Sequence, residues 1–213
     1  MKKVILFLAI LLCSTVFAKA FTENEKKEIL RQFVSFKEAV KNKDIKSIKS
    51  VLIFPLYDEY EVLFTDGNIY SEKEYLKTGK ISEKLFDKYS DKFDYEILKD
   101  FEKVKIDPEK NKITNYLLEN ITAEDKKRKF YLDEERYEYY YKDKNNKKIY
   151  KNICNLRTEV GFDKENPEQE VFYASSFSEN SELMTESTDC LGGIVFIFKL
   201  SDGRLKLDEI FAD

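Results

Sequence analysis

The sequence predicts an α+β protein in which N-terminal helices pack on a curved antiparallel sheet that ends in a C-terminal β-hairpin. Apolar residues recur at helical spacing through most of the first hundred residues, and from Val104 onward they alternate with polar residues. The 213 residues include only three prolines and six glycines, and no long polar linker divides them. We therefore expect one domain over residues 21–213, which follows a leader over residues 1–20.

The first twenty residues have the anatomy of a cleaved secretory signal peptide. Two lysines precede an apolar run over residues 4–17, and Ala18 and Ala20 place small residues at the positions that a signal peptidase reads. The run is shorter than the ~20 residues that a membrane-spanning helix needs, so an uncleaved anchor is the minor alternative. We expect cleavage between Ala20 and Phe21 and export to the periplasm or out of the cell, without stable membrane insertion afterwards.

Charge and composition argue against several partners and chemistries. The chain has 37 basic and 41 acidic residues, and the leader contains three of the lysines and no acid, so the mature net charge is −7. An acidic chain is disfavoured as a partner of nucleic acid or of an anionic membrane surface. The absence of histidine removes Ser–His–Asp and Cys–His machinery and the usual zinc ligands. We therefore predict no cofactor and no metal site.

The first two helices are marked by a capping pair and by apolar periodicity. Thr22 and Glu25 have the spacing of a capping box, and apolar side chains at positions 29, 33, 36 and 40 predict a helix over residues 23–41. A second, shorter helix is expected over residues 45–52, so that the pair forms a helical hairpin.

The following segment predicts a strand and then further helices. Residues 57–64 are rich in strand formers and predict a strand. A second capping-box spacing over residues 71–74 predicts a short helix around Tyr75. Rows of apolar residues predict helices over residues 82–92 and 94–102.

Period-two patterns predict the strands of the second half. They cover residues 104–106, 112–118, 128–142, 149–160 and 170–177, and the hairpin strands 194–200 and 205–211. The final hairpin turns between Ser201 and Arg204, where Gly203 suits a left-handed backbone.

Two cysteines, Cys154 and Cys190, remain after the expected cleavage. An even number of cysteines in an exported chain predicts a disulfide. The loop is long, so the cross-link would stabilise the fold by roughly 4 kcal/mol in the chain-entropy model. Two buried free thiols are the alternative.

Four tyrosines lie within five residues, at Tyr137, Tyr139, Tyr140 and Tyr141. Tyrosine is a favoured strand residue, so the simpler interpretation is a half-exposed strand whose rings pack on the sheet. The functional interpretation is an exposed aromatic surface that binds a protein, a peptide or a glycan. Tyr140 shares its side of the expected strand with charged residues and is the tyrosine least expected in the core.

Two segments, FKEAVKNKDIKSIKSVLIFPL and FIFKLSDGRLKLDEIFAD, resemble the NTF2-like superfamily. The resemblance implies a cone of curved sheet wrapped by helices, and often a homodimer formed through the sheet. Enzymes of that superfamily, such as ketosteroid isomerase and scytalone dehydratase, use aspartate, tyrosine or histidine in the pocket. Only an aspartate base with a tyrosine donor remains possible here, with Asp58 or Asp66 as candidates. No spacing singles out either, so we carry over no catalytic residue, and another α+β, lipocalin-like or cystatin-like fold stays open.

Two classes of function are compatible with these observations. The first is an exported, non-enzymatic binding module that uses the concave face of the curved sheet to bind a small molecule, a peptide or an envelope protein. The second is a small lyase, isomerase or hydrolase with an aspartate and a tyrosine in its pocket, and a surface protein that interacts with a host is a weaker alternative. A closed pocket with a carboxylate of raised pKa would favour the enzyme.

Overall fold

The computed structural model of the protein describes residues 20–65, 67–133, 135–163, 170–183, 190 and 192–212, with the backbone alone at Asp58. Within these stretches the α-helices are α1 Glu23–Lys41, α2 Ile45–Val51, α3 Lys73–Thr78, α4 Glu83–Lys88 and α5 Glu96–Lys99. Short 3-10 helices lie at Asp58–Leu63, Gly67–Ser71, Ser90–Lys92, Asp100–Lys103 and Asp125–Lys127. Every helix in this part of the chain is too short or too polar to cross a bilayer.

The strands follow the helices and form three antiparallel sheets. They are β1 Lys105–Asp107, β2 Lys112–Thr114, β3 Tyr116–Leu118, β4 Tyr131–Asp133, β5 Glu138–Lys142, β6 Lys148–Tyr150, β7 Asn155–Phe162, β8 Phe172–Glu179, β9 Gly193–Ser201 and β10 Arg204–Ala212. The main sheet has the strand order β10-β9-β8-β7-β3, a smaller sheet has the order β4-β5-β6, and β1 pairs with β2. The predicted class, helices on an antiparallel sheet with a terminal hairpin, is confirmed.

Helix α1 begins and ends as its sequence predicts. Thr22 and Glu25 form a reciprocal capping box, in which the Glu25 N–H donates to Thr22 Oγ1 at 3.2 Å and the Thr22 N–H donates to Glu25 Oε2 at 2.7 Å. The apolar stripe of the helix is buried against the main sheet. At its centre, the ring of Phe33 lies 5.1 Å from that of Phe172 and 5.5 Å from that of Phe198.

Aromatic and aliphatic side chains fill the face of the main sheet that meets the helices. The buried members of this face are Val160, Phe172, Ala174, Phe196, Phe198, Leu205, Leu207 and Ile210. Alternate positions along each strand point the other way, as the pleat requires. The space between helices and sheet is therefore the hydrophobic core of the protein.

The prediction of a strand over residues 57–64 is wrong, because this segment forms the 3-10 helix Asp58–Leu63. Its buried side chains are Tyr60, Leu63 and Phe64, a helical spacing. The hydroxyl of Tyr60 donates to the backbone oxygen of Asp208 at 2.8 Å, which holds the segment on strand β10. Packing against the sheet edge thus overrides the local strand propensity.

The helix expected around Tyr75 is present as α3, but its predicted capping box is absent. Ser71 belongs to the preceding 3-10 helix, and Glu72 occupies the capping position without a side-chain cap. The Glu72 carboxylate instead accepts hydrogen bonds from Lys88 Nζ at 2.5 Å and from the Tyr89 hydroxyl at 2.6 Å. The helices expected over residues 82–92 and 94–102 are shorter and are completed by 3-10 turns.

The C-terminal hairpin has the turn that its sequence predicts. Ser201 pairs with Arg204, and the two residues between them, Asp202 and Gly203, both have positive φ, at 52° and 72°. This is the backbone of a two-residue turn whose twist matches that of the flanking strands. Gln32 of α1 fixes the same end, because its side chain bonds the Gly203 oxygen and the Leu205 N–H.

Candidate functional site: the tyrosine sheet

The tyrosine-rich segment forms a hairpin, so the single strand expected over residues 128–142 is wrong. The chain reverses after β4, where the Arg136 N–H donates to the Asp133 oxygen at 3.2 Å and Tyr137 has a φ of 53°. Strand β6 then pairs with β5 and completes a three-stranded sheet, which we call the tyrosine sheet. A continuous strand would have left neither face apolar, whereas the hairpin gives its rings cross-strand partners.

The structure separates the four tyrosines singled out by the sequence. Tyr137 lies in the turn with 85% of its surface exposed. Tyr139 and Tyr141 lie on one face of β5 and Tyr140 lies on the other, because successive side chains of a strand alternate. We call the face of Tyr140 the outer face and the face of Tyr141 the inner face.

A row of three tyrosine rings crosses the outer face, one from each strand. Tyr140 pairs across the strands with both Tyr131 and Tyr150. The ring centroids of Tyr131 and Tyr140 are 5.6 Å apart in a stacked arrangement, and those of Tyr140 and Tyr150 are 5.8 Å apart. Tyr131 and Tyr150 escaped the sequence analysis because they join Tyr140 only through the register of the sheet.

Each ring of this row has a cation beside it. Lys148 Nζ lies 4.5 Å from the centroid of the Tyr140 ring, and the Arg136 guanidinium lies 4.5 Å from that of Tyr150. Lys129 Nζ lies 5.3 Å from the centroid of Tyr131. These distances are within the range of cation–π attraction, so the row combines aromatic surface with positive charge.

A largely buried carboxylate, that of Asp133, orders one end of the row. It accepts hydrogen bonds from Lys148 Nζ and from the Tyr150 hydroxyl, both at 2.7 Å. The hydrogen bond from Lys148, followed by that from Tyr150, lowers the pKa of Asp133 to about 2. The group is therefore ionised at neutral pH and holds Tyr150 and Lys148 in place.

The inner face is held by a second buried carboxylate, that of Asp125. It accepts hydrogen bonds from Lys151 Nζ, from the Thr122 N–H at 2.7 Å and hydroxyl at 2.6 Å, and from Arg128 at 3.1 Å. Lys151 first, and then Thr122, hold the pKa of Asp125 well below its ordinary value. The guanidinium of Arg128 also lies 4.4 Å from the ring centroid of Tyr141, so the same cluster fixes the inner face.

The tyrosine sheet lies in an insertion, residues 119–154, between two paired strands of the main sheet; we call this insertion the excursion. Strands β3 and β7 pair at its base, and the side chain of Asn120 donates to the Cys154 oxygen at 2.6 Å. Cys154 is bonded to Cys190, with a Cα–Cα distance of 5.6 Å, so the predicted disulfide is confirmed. It ties this base to the segment between β8 and β9.

The strand expected over residues 149–160 is interrupted at the disulfide. Strand β6 ends at Tyr150 and β7 begins at Asn155, so Cys154 lies in the connection. The Cys154 N–H donates to Asn152 Oδ1 at 2.9 Å, and Ile153 is buried. The disulfide therefore lies in the connection between the tyrosine sheet and the main sheet.

The segment 119–154, which contains the tyrosine sheet, differs in charge from the rest of residues 21–213. Residues 119–154 contain ten basic and eight acidic residues, a net charge of +2. The rest of residues 21–213 has 24 basic and 33 acidic residues, a net charge of −9. Among the described residues of the strands and their flanks, the outer face has four cations, Lys129, Arg136, Lys142 and Lys148, and two acids, Asp133 and Glu138. A windowed charge count, in place of the whole-chain value, would have revealed this contrast.

Two open clefts lie elsewhere on the surface. One, of about 350 Å³, lies between the helices and the last hairpin and is lined by Gln32, Ser35, Phe36, Ser47, Ser50, Val51, Arg204 and Leu205. The other, of about 300 Å³, is lined by Phe21, Asp163, Glu170, Val171, Ile197, Phe198, Lys199, Asp208, Glu209 and Phe211. Neither lining pairs a carboxylate with a tyrosine hydroxyl.

The remaining sequence candidates are placed as follows. Phe21, the first residue after the expected cleavage, lines the second cleft, and Ala20 before it is exposed. Asp66 and the side chain of Asp58 lie outside the described residues. In the described part of the chain, no three metal-binding side chains converge.

Comparison with known proteins gives this chain no relative. No family model, no curated protein and no solved structure matches it. The resemblance to the NTF2-like superfamily therefore stays a prediction, and the function must be argued from the residues themselves.

Proposed function

We propose that the protein is an exported, non-enzymatic binding module that uses the outer face of the tyrosine sheet to bind an acidic segment of a peptide or envelope protein. The observation that carries the proposal is the row of Tyr131, Tyr140 and Tyr150 with a cation beside each ring. Tyrosine and arginine are the residue types that most often dominate the energy of protein interfaces.

Charge complementarity supports an acidic partner. The excursion carries +2 on a protein that is otherwise at −9, so an acidic segment is attracted to this face and repelled elsewhere. Carboxylates of the partner would pair with the lysines and the arginine, while its apolar side chains would cover the rings. The carboxylates of Asp133 on the outer face and of Asp125 on the inner face keep the surface ordered before binding, which lowers the entropic cost of association.

The enzymatic alternative has less support. Its best residue pair is Asp133 with the Tyr150 hydroxyl, at 2.7 Å. The pKa of Asp133 is lowered to about 2, whereas proton transfer at neutral pH needs a carboxylate whose pKa is raised. Export is supported separately, by the leader anatomy of residues 1–20 and by the disulfide, which suits an oxidising compartment.

Binding can be measured with defined peptide probes. We suggest fluorescence anisotropy with a labelled decapeptide of alternating glutamate and leucine, and with its lysine–leucine counterpart, on the mature chain. Only the acidic peptide should bind, and Tyr140→Ala should weaken it about tenfold, which corresponds to ~1.4 kcal/mol. The matched control is Tyr57→Ala, because Tyr57 is 48% exposed and has Lys80 Nζ 4.6 Å from its ring centroid, outside the tyrosine sheet.

Three outcomes would contradict the proposal. Failure of the acidic peptide to bind, or equal binding of the lysine peptide, would remove the acidic-segment assignment. An equal loss for Tyr140→Ala and Tyr57→Ala would remove the tyrosine sheet as the binding surface. If a ten-nucleotide single strand bound more tightly than the acidic peptide, the tyrosine sheet would be assigned as a nucleic-acid-binding surface instead.

A further inference from the structure

Phe21 is held at both its backbone and its ring. Its backbone nitrogen donates to Glu170 Oε2 at 2.5 Å, across 149 residues of sequence. Its ring packs edge-on against Phe162, with the centroids 5.8 Å apart. The residue that follows the expected cleavage site is thus an integrated part of the fold.

Glu170 is a nearly buried carboxylate whose two oxygens have different partners. Its side chain is 8% exposed, and Oε1 forms an ion pair with Lys26 Nζ at 2.6 Å. Lys26 is itself directed by Phe162, because its Nζ lies 5.2 Å from the ring centroid. Oε2 is therefore aimed at the Phe21 nitrogen by a fixed arrangement on helix α1 and strand β7.

The cleft beside Phe21 is acidic. Among the described residues, which leave out 164–169, the charged groups that face the Phe21 nitrogen or line this cleft are Glu170, Asp163, Asp208 and Glu209 as acids, and Lys26 and Lys199 as bases. Four acids against two bases leave a local charge of −2. A cation placed at the Phe21 nitrogen would reduce this excess, whereas a neutral amide leaves it unchanged.

We propose that Glu170 is the binding site for the α-ammonium group that cleavage between Ala20 and Phe21 creates. In that step water hydrolyses the peptide bond under catalysis by an endopeptidase of the signal-peptidase type. The carbonyl carbon of Ala20 leaves as a carboxylate, and the Phe21 nitrogen becomes an amine that takes up a proton. The proposal rests on the export component of the proposed function and is independent of the tyrosine sheet.

Processing then adds an ion pair at a site that already holds the nitrogen. In the uncleaved chain the nitrogen offers one neutral N–H, whereas the ammonium offers a full charge and three donors. A free α-amino group ordinarily has a pKa of about 7.7–8.0, and an opposite charge in contact raises such a pKa by about one unit or more. Because the folded-state pKa is raised, the stabilisation is complete below pH ~7.7 and is lost as the pH rises through the folded value.

The experiment measures the α-amino group of the mature chain directly. The pH titration of a ¹⁵N-labelled Phe21 amine is followed by NMR in the wild type, in Glu170→Gln and in Glu209→Gln, with a peptide of residues 21–26 as the reference. We expect a rise of about one unit over the peptide in the wild type and most of that rise in Glu209→Gln. In the Glu170→Gln variant, the pKa of the α-amino group should be close to that of the peptide.

A second measurement applies even if Glu170→Gln does not fold. Acetylation of Phe21 removes the charge and keeps the N–H donor, so it should lower the melting temperature of the wild type at pH 7 and have little effect at pH 10. An α-amino pKa equal to that of the peptide, or a melting temperature that acetylation leaves unchanged, would overturn the proposal. So would mass spectrometry of the exported protein that finds its N-terminus at a residue other than Phe21.

Discussion

Replacing both Cys154 and Cys190 by alanine should lower the free energy of unfolding by about 4 kcal/mol. The disulfide joins residues 36 positions apart, and strands β7 and β8 lie within the loop that it closes. Without the bond, the unfolded chain regains the conformational freedom of this loop, while the folded chain keeps its strand pairing. The loss therefore arises mainly in the unfolded state.

The magnitude follows from the loop length. The chain-entropy model assigns about 4 kcal/mol at 25 °C to a closed loop of this size. For a domain of this size each kcal/mol corresponds to about 2–4 °C in melting temperature, so a decrease on the order of 10 °C is expected. The base of the tyrosine sheet should lose most of its protection from hydrogen exchange, because its cross-link is gone and the β3–β7 pairing and the side-chain bonds of Asn120 and Asn155 must hold it.

The assay is urea unfolding followed by circular dichroism, on the oxidised wild type, the reduced wild type and the double alanine variant. The reduced wild type is the matched control, because it lacks the bond and keeps both sulfur atoms. Hydrogen exchange measured at residues 151–156 would show whether the stability is lost at the base of the tyrosine sheet. A double variant whose unfolding free energy lies within about 1 kcal/mol of the oxidised wild type would refute the reasoning and would mean that backbone pairing alone holds the base.

Two further predictions concern the core and the tyrosine sheet. Phe33→Ala should cost about 3–5 kcal/mol in thermal or chemical unfolding, because Phe33 is fully buried between α1 and the main sheet, whereas Leu76→Ala, at a side chain 71% exposed, should cost little. Asp133→Asn should be less stable than the wild type at pH 7. Because the pKa of Asp133 is lowered to about 2, its contribution is present above pH ~4 and is lost as the pH falls toward 2, so the difference in melting temperature should narrow over that range. A difference that does not change with pH would contradict this account of Asp133.

Local sequence signals were sufficient where one residue and its near neighbours decide the structure. The capping box at Thr22 and the apolar period after it correctly predicted α1. The Asp202–Gly203 pair and the alternation around it correctly predicted the last hairpin. In both cases the interactions involved lie within a few residues, so their pattern can be read from the chain.

Local signals failed where a distant partner decides the structure. Tyr60 lies in a segment with strand propensity, but its contact with the Asp208 backbone, 148 residues away, is made from a 3-10 helix. In the candidate site, the density of tyrosines pointed to the segment that forms the tyrosine sheet, but it did not predict which tyrosine rings lie side by side. Tyr140 was identified, whereas its neighbours Tyr131 and Tyr150 were not.

The sequence by itself determined the fold class, the helix α1, the final hairpin and the pair of cysteines that are bonded, whereas the leader stays a prediction. Only the tertiary structure decided which tyrosines form a surface, because the turns at Tyr137 and Asn146 set the two registers that bring three strands and three rings together. Only the tertiary structure placed Glu170 at the nitrogen of Phe21. Charge and aromatic content are properties of composition, whereas a binding surface depends on which side chains the folded backbone makes adjacent.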